Sequence, residues 1–432
     1  MNNTYLGPHI TMEKRNKYLV PCSNHFYKNP PEIVKGEMQY LYDSEGKKYL
    51  DFYSGVSVMN CGHCNAEILE KTIDQMKTLQ HTSTIYLTEP MVNLAEELSQ
   101  VTPGDLKRSF FCGTGSEANE GALLAASLYT NKSEILALNN GLHGRTKLTM
   151  SVTGIGMWRT DSNPVGGIHF VPNAYCYRCK FKNSCGECGM ECVEAVEKTI
   201  KNHTSGRVSA MIAETIQGNG GIITPPKGYF KALKQVLNKY GILLIIDEVQ
   251  TGFARTGKMF AIENYDVVPD IITMAKALGN GVPIGAYITT DEIASAFTRP
   301  SASTLGGNPV SAATGRAVIS YIKKYNLCQR AQLMGSKLKD GLLKLKDKYK
   351  IIGDVRGLGL MMGAELVKEN MEPAVKETDI ILEQLKDKGI IVGKNGENRN
   401  VLAFQPPLII SEEDIENLIK SLDEILCNMQ YA

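Results

Sequence analysis

The stretch 242–290, ILLIIDEVQTGFARTGKMFAIENYDVVPDIITMAKALGNGVPIGAYITT, constrains this chain most. Its opening apolar run stops abruptly at Asp247 and Glu248. A short apolar run bounded in this way suits a strand of a parallel sheet, buried on both faces. Open α/β sheets place ligands at the carboxyl ends of such strands. A second run, 270–275, follows a polar crossover and delivers Lys276; Gly279, Asn280 and Gly281 then make a turn. One carboxylate and one lysine are therefore expected at the ends of two strands of one sheet.

That pairing suggests a chemistry. A lysine in a poorly solvated pocket loses its proton more easily and attacks aldehydes. A pyridine nitrogen needs a nearby carboxylate to stay protonated. Together they describe pyridoxal phosphate (PLP), with Lys276 as its Schiff-base lysine and Asp247 as the partner of the ring nitrogen. On spacing alone, a turn-capping aspartate and a solvated strand-end lysine fit as well.

The stretch resembles the signature of the class III (ω-amino acid) aminotransferases. It carries Asp247-Glu248-Val249-Gln250, then Gly252-Phe253-Ala254-Arg255-Thr256-Gly257, then Lys276 in the place of the cofactor lysine. The similarity runs from about residue 40 to residue 408. It implies the type I PLP fold, an α/β architecture. A large domain would hold a mostly parallel seven-stranded sheet, and a small α+β domain would draw on both chain ends. The expected divisions are 1–65 (N-terminal arm and part of the small domain), 66–318 (large PLP-binding domain) and 319–432 (C-terminal small domain). The resemblance also implies a homodimer or a dimer of dimers.

Bulk properties agree with a soluble enzyme. The chain has 432 residues, 47 basic and 46 acidic, for a formal charge of +1. That balance offers no field for nucleic acid or anionic lipid, and no run approaches a membrane span. The N-terminus lacks an apolar signal core, so a cytoplasmic location is expected, with the 11 cysteines as thiols or metal ligands rather than disulfides.

Other site candidates follow in chain order. Residues 54–65 resemble the substrate-side loop of the family, with Val56 and Met59 as pocket walls; a plainly packed loop is an equal reading. In 108–129 a strand runs into Gly113, Gly115 and Ser116, with a helix expected from Glu117. Backbone N–H groups at a helix start bind phosphate, and the resemblance makes Gly115 and Ser116 the cofactor's phosphate cup. Leu142 stands where the family usually stacks an aromatic ring on the pyridine, and His143 beside it is expected at the cofactor. Arg145 matches the arginine that grips the distal carboxylate in members acting on 4-aminobutyrate, a job suited to a guanidinium fork. A solvated loop arginine is the alternative.

Glu214 has an active-site counterpart in the family, Gln250 is expected near the cofactor's 3-oxygen, and Thr304 would reach the neighbouring subunit's phosphate. Enzymes using 2-oxoglutarate often carry a glutamate where Asn219 stands, covering an arginine whose place here is Ala403. Both are missing together, which leaves Arg399 or Lys394 as substitutes. Cys176, Cys179, Cys185, Cys188 and Cys192 crowd a short insertion with ligand spacing for zinc or an iron–sulfur cluster, or simply free thiols. Cys61, His63 and Cys64 make a weaker metal pattern.

The expected function is amino transfer from an ω-amino acid (4-aminobutyrate, 5-aminovalerate, β-alanine or taurine type) to pyruvate or 2-oxoglutarate. A phospholyase acting on phosphorylated amino alcohols and an amino acid racemase or epimerase are the alternatives.

Overall fold

The computed structural model describes residues 5–23, 25–181 and 189–430. Its largest sheet has seven strands: β1 (Arg108–Cys112), β2 (Glu134–Leu138), β3 (Ile168–Val171), β4 (Val208–Glu214), β5 (Leu243–Asp247), β6 (Ile271–Met274) and β7 (Gly285–Thr289). They lie in the order β1-β7-β6-β5-β4-β2-β3. Strands β2 to β6 pair in parallel, and β7 runs antiparallel to both its neighbours. Every residue of β4, β6 and β7 is buried. Such unbroken apolar runs are what a sheet covered on both faces requires. One cover is helix α1 (Gly115–Thr130), which packs on β4, β6 and β7. This is the type I PLP architecture expected from the sequence.

Two smaller sheets complete the fold. In one, Ile390–Ile391 pairs in parallel with Lys48–Asp51, so the two ends of the chain share a sheet. The other is antiparallel and joins Ile352–Leu358, Met361–Leu366, Val401–Phe404 and Gly393–Asn395. No helix among the described residues is long and apolar enough to cross a membrane.

Ile33–Glu37, Tyr40–Asp43 and Lys48–Asp51 form three antiparallel strands, the last two around Ser44, Glu45 and Gly46. Met38, at φ 51°, reverses the chain between the first two in a left-handed conformation that an ordinary side chain rarely signals. Before them, Pro8–Tyr18 is helical with no buried residue. Proline suits the first helical position. The carboxylate of Glu32 anchors this end, accepting from Gly7 N (2.9 Å) and Thr11 Oγ1 (2.5 Å).

Arg255 of the signature is fully buried. Its guanidinium donates to the carbonyls of Leu360 (2.9 Å) and Pro406 and to Asn60 Oδ1. Burial pulls its pKa down to about 9. It ties the 54–60 loop and the C-terminal strands to the carboxyl end of the central sheet.

Candidate active site

At that carboxyl end lies a cavity of about 330 Å³. Its walls include Gly115, Ser116, Leu142, His143, Glu214, Asp247, Gln250 and Lys276, which come from five separate segments. Asp247 ends β5. Glu214 ends β4, the neighbouring strand, and the two residues are register partners. Lys276 follows β6 after one residue, at φ 45°. A left-handed conformation at a non-glycine residue is strained, and here it sits at the chemistry-bearing position.

Asp247 is held on all sides. Its Oδ2 lies 2.8 Å from both Asn119 Nδ2 and His143 Nδ1, and its Oδ1 accepts from Val249 N at 3.0 Å. Asn119 also donates to the carbonyl of His143 (2.7 Å) and accepts from Thr273 Oγ1 (2.6 Å). Helix α1, β5, β6 and the 142–144 loop thus fix one carboxylate. Asn119 carried no role in the sequence reading. Its one signal is an amide inside the apolar run of α1, where an unpaired polar group would be costly.

Glu214 accepts from Leu142 N and Gly218 N, each at 2.9 Å. Burial nevertheless raises its pKa to about 7, with His143 opposing and Asp247 reinforcing the rise. Burial also holds the Lys276 ammonium below the usual lysine range, against the pull of Asp247 and Glu214. A carboxyl whose folded pKa is raised stabilises the fold at low pH and loses that contribution as pH climbs from its unfolded value towards 7. The cofactor-free protein should therefore lose stability between pH 4.5 and 7 through this group. Urea unfolding across that range checks this: Glu214→Gln should flatten the slope, and an unchanged slope contradicts it.

Helix α1 begins at Gly115, two residues earlier than expected, so Gly115 and Ser116 form its first turn. Thr114 caps it, its side chain accepting from Glu117 N at 3.2 Å. A Cβ on Gly115 would fall 2.9 Å from Val249 Cγ1, so this approach needs glycine. Ser116 Oγ accepts from Arg145 N (3.0 Å). Gln250 Nε2 donates to Gln405 Oε1 (3.2 Å).

Four candidates, Val56, Met59, Arg145 and Thr304, are not among the lining residues. Val58, not Val56, lines it. Ser54, Gly55, Val56 and Ser57 all have positive φ, so the loop coils left-handed and advances a different side chain to the wall. Met59 Sδ sits beside Gly281, itself a lining residue. Arg145 is exposed, one residue beyond the lining Gly144, and Thr304 is exposed.

The metal expectations are not carried forward. Among the described residues no group of three or more His, Cys, Asp or Glu is placed to hold a metal ion. Cys185 and Cys188 lie outside the described residues, so that part of the insertion reading has no structural counterpart here. His63 Nε2 pairs instead with Asp51 Oδ2 at 2.7 Å.

The site fits PLP. A helix N-terminus with a glycine where a side chain would clash can take the phosphate. A fixed carboxylate can take the ring nitrogen, and a lysine with a lowered pKa can take the aldehyde. Gln250, Leu142 and Val249 offer the remaining walls.

Comparison with known proteins agrees. The family model for aminotransferase class-III matches residues 23–426. The chain is 43% identical over 430 residues to alanine–glyoxylate aminotransferase 2 homolog 2, mitochondrial, of Arabidopsis thaliana, covering 98% of this chain and 89% of that one. It is 37% identical to the leucine/methionine racemase of Thermococcus litoralis, covering 96% and 95%. A crystal structure of a transaminase from the marine bacterium Virgibacillus superposes with a TM-score of 0.89 at 31% identity, covering 98% and 99%. A lysine, an aspartate and a helix N-terminus converge on one cavity, and the family match spans nearly the whole length: this chain belongs to the PLP-dependent class III aminotransferases.

Proposed function

We propose that this transaminase takes its amino group from an ω-amino acid or a similar amine with a distal anion, and passes it to a small 2-oxo acid. Arg145 carries this reading. It is an exposed cation without a carboxylate partner among the described residues, and its own backbone is fixed to Ser116 at the cavity edge. A guanidinium so placed suits the carboxylate or sulfonate of 4-aminobutyrate, 5-aminovalerate, β-alanine or taurine.

When bound, PLP supplies the electron sink of the reaction. Gly115, Ser116 and Asp247 would hold it. Lys276 Nζ, its ammonium form disfavoured by burial, takes the proton from the amine-bearing carbon. Asn119 and His143 keep the Asp247 carboxylate oriented and screened from water. Asn219 Oδ1 accepts from Trp158 Nε1 (3.1 Å), and Ala403 packs in an apolar cluster with Ile216, Ile222 and Met361. Neither offers a charge to the α-carboxylate that pyruvate and 2-oxoglutarate share.

Arg145→Ala should raise KM for 4-aminobutyrate about 10- to 100-fold, the worth of a lost charged hydrogen-bond pair, and leave 1-phenylethylamine within about 2-fold. Steady-state kinetics on the two donors checks this; equal changes contradict the assignment.

A racemase is the second reading. Similarity to the Thermococcus racemase supports it, as does the paired absence at Asn219 and Ala403, since racemisation needs no acceptor. Exchange of the α-hydrogen of leucine with deuterated water, without any oxo acid, would favour it.

We also propose a homodimer in which Thr304 reaches the neighbouring cofactor phosphate. Ile85, Tyr86 and Leu87 are exposed in succession and Leu305 is 62% exposed, apolar surface of the kind a partner subunit covers. Sedimentation should show a dimer at micromolar concentration; a monomer with full activity contradicts the proposal.

A further inference from the structure

Gln405 is a fully buried amide in an otherwise apolar stretch, with Phe404 before it and Pro406, Pro407 and Leu408 after it. Its side-chain Oε1 accepts a hydrogen bond from Gln250 Nε2 at 3.2 Å. Its own Nε2 is buried and has no partner among the described residues. An unpaired buried amide nitrogen is costly, and buried side chains are normally oriented so that their polar atoms are satisfied. This one is oriented to serve Gln250 instead.

The backbone beneath it is pinned. Gln405 N donates to Phe52 O (2.7 Å), and Gln405 O accepts from Ser54 Oγ (2.6 Å). Pro406 O accepts from Arg255, whose guanidinium also donates to Ser54 Oγ (3.4 Å). The buried arginine of the signature therefore braces the segment that carries Gln405.

Gln250 lines the cavity, three residues after β5. Its side chain makes no other hydrogen bond among the described residues. Gly218 presses on the same amide: a Cβ there would fall 2.0 Å from Gln250 Oε1 and 2.9 Å from Nε2. Gly218 is itself tied down, its N–H donating to Glu214 Oε2 (2.9 Å) and its carbonyl accepting from Asn395 Nδ2 (2.9 Å). An amide nitrogen carries two hydrogens. With one committed to Gln405 and the amide wedged against Gly218, the other is left for a ligand in the cavity.

We propose that Gln405 is a positioning residue that holds the Gln250 amide with its nitrogen as the donor, so that Gln250 gives its second N–H to the 3-oxygen of the bound cofactor. A donor there draws charge off the oxygen and lowers its hold on a proton. Gln405 thus serves Gln250 as Asn119 serves Asp247, and the cofactor's charge is set from two ends, at the ring nitrogen and at the 3-oxygen. The inference rests on the PLP reading of the cavity and not on the identity of the amine or the oxo acid.

The test is a double-mutant cycle on the full-length enzyme: wild type, Gln405→Met, Gln250→Met and the double variant. Each is loaded with PLP and its visible absorbance is titrated with pH, and the affinity of each cofactor-free protein for PLP is measured alongside. Gln405→Met should raise the pH at which the visible band changes by about 1 unit, within the worth of a hydrogen bond to a charged oxygen, and weaken PLP binding about 3- to 10-fold. Gln250→Met should shift the band at least as far, and adding Gln405→Met to it should move the band no further. Since Gln405→Met removes the unpartnered nitrogen, the cofactor-free variant should unfold at the same urea concentration as wild type or a higher one. Gln405→Leu repeats the comparison if the methionine variant does not fold. An unmoved band in the Gln405 variant overturns the proposal, with a lower unfolding midpoint then marking Gln405 as a support of the fold alone. An equal shift by Gln405→Met in both backgrounds overturns it as well, because Gln405 would not be acting through Gln250. A wild-type protein that gives no visible band with PLP would fail at the earlier step, the cofactor reading, and take this proposal with it.

Discussion

Lys276→Ala is expected to lower kcat/KM by about 10⁴-fold or more, since one change removes both the covalent anchor and the proton-transferring base. The reason lies in the site and not in stability. The lysine is half-buried and its charged form is disfavoured by burial, so removing it relieves the cost of a desolvated charge, while the left-handed φ suits alanine no better than lysine. The variant should fold at least as well as wild type and bind PLP without trapping it covalently. Mass spectrometry after borohydride reduction reads this directly, with labelling at Lys276 in wild type and none in the variant. Retention of more than a hundredth of the activity would contradict the assignment.

Asp247→Asn is expected to cost about 10²- to 10³-fold in kcat, the size of a lost preorganised electrostatic contact. Asparagine keeps the shape but not the charge. It also sets an NH₂ group or a neutral oxygen against donors arranged for a carboxylate: Asn119 Nδ2, Val249 N and the ring of His143. The buried His143 would lose its anionic partner, so a drop in thermal stability should accompany the loss of rate. Kinetics with simple amines, and the pH titration of the bound cofactor's absorbance, measure the two effects. A variant with wild-type kcat would remove Asp247 from the site.

What the sequence could show divides along a physical line. Asp247 and Lys276 were legible because each ends an apolar run, and in a parallel sheet such runs end on one side. Glu214 was legible for the same reason. Asn119 was not: its partner Asp247 is 128 positions away, and no local pattern encodes that contact. Val58 was not legible because the left-handed path of residues 54–57 includes three side chains that rarely adopt it. The N-terminal helix escaped notice because it buries nothing, leaving no apolar periodicity to read.

The most direct test of the central claim is a single-turnover spectrum. Purified enzyme loaded with PLP is mixed, without any oxo acid, with 4-aminobutyrate, 5-aminovalerate, β-alanine, taurine and phosphoethanolamine in separate cuvettes. The account predicts a stoichiometric loss of the cofactor's visible band with at least one ω-amino acid, giving the pyridoxamine phosphate spectrum, and recovery of the band on adding pyruvate. Continuous turnover with phosphate release from phosphoethanolamine, and no such spectral change with any amine, would contradict it.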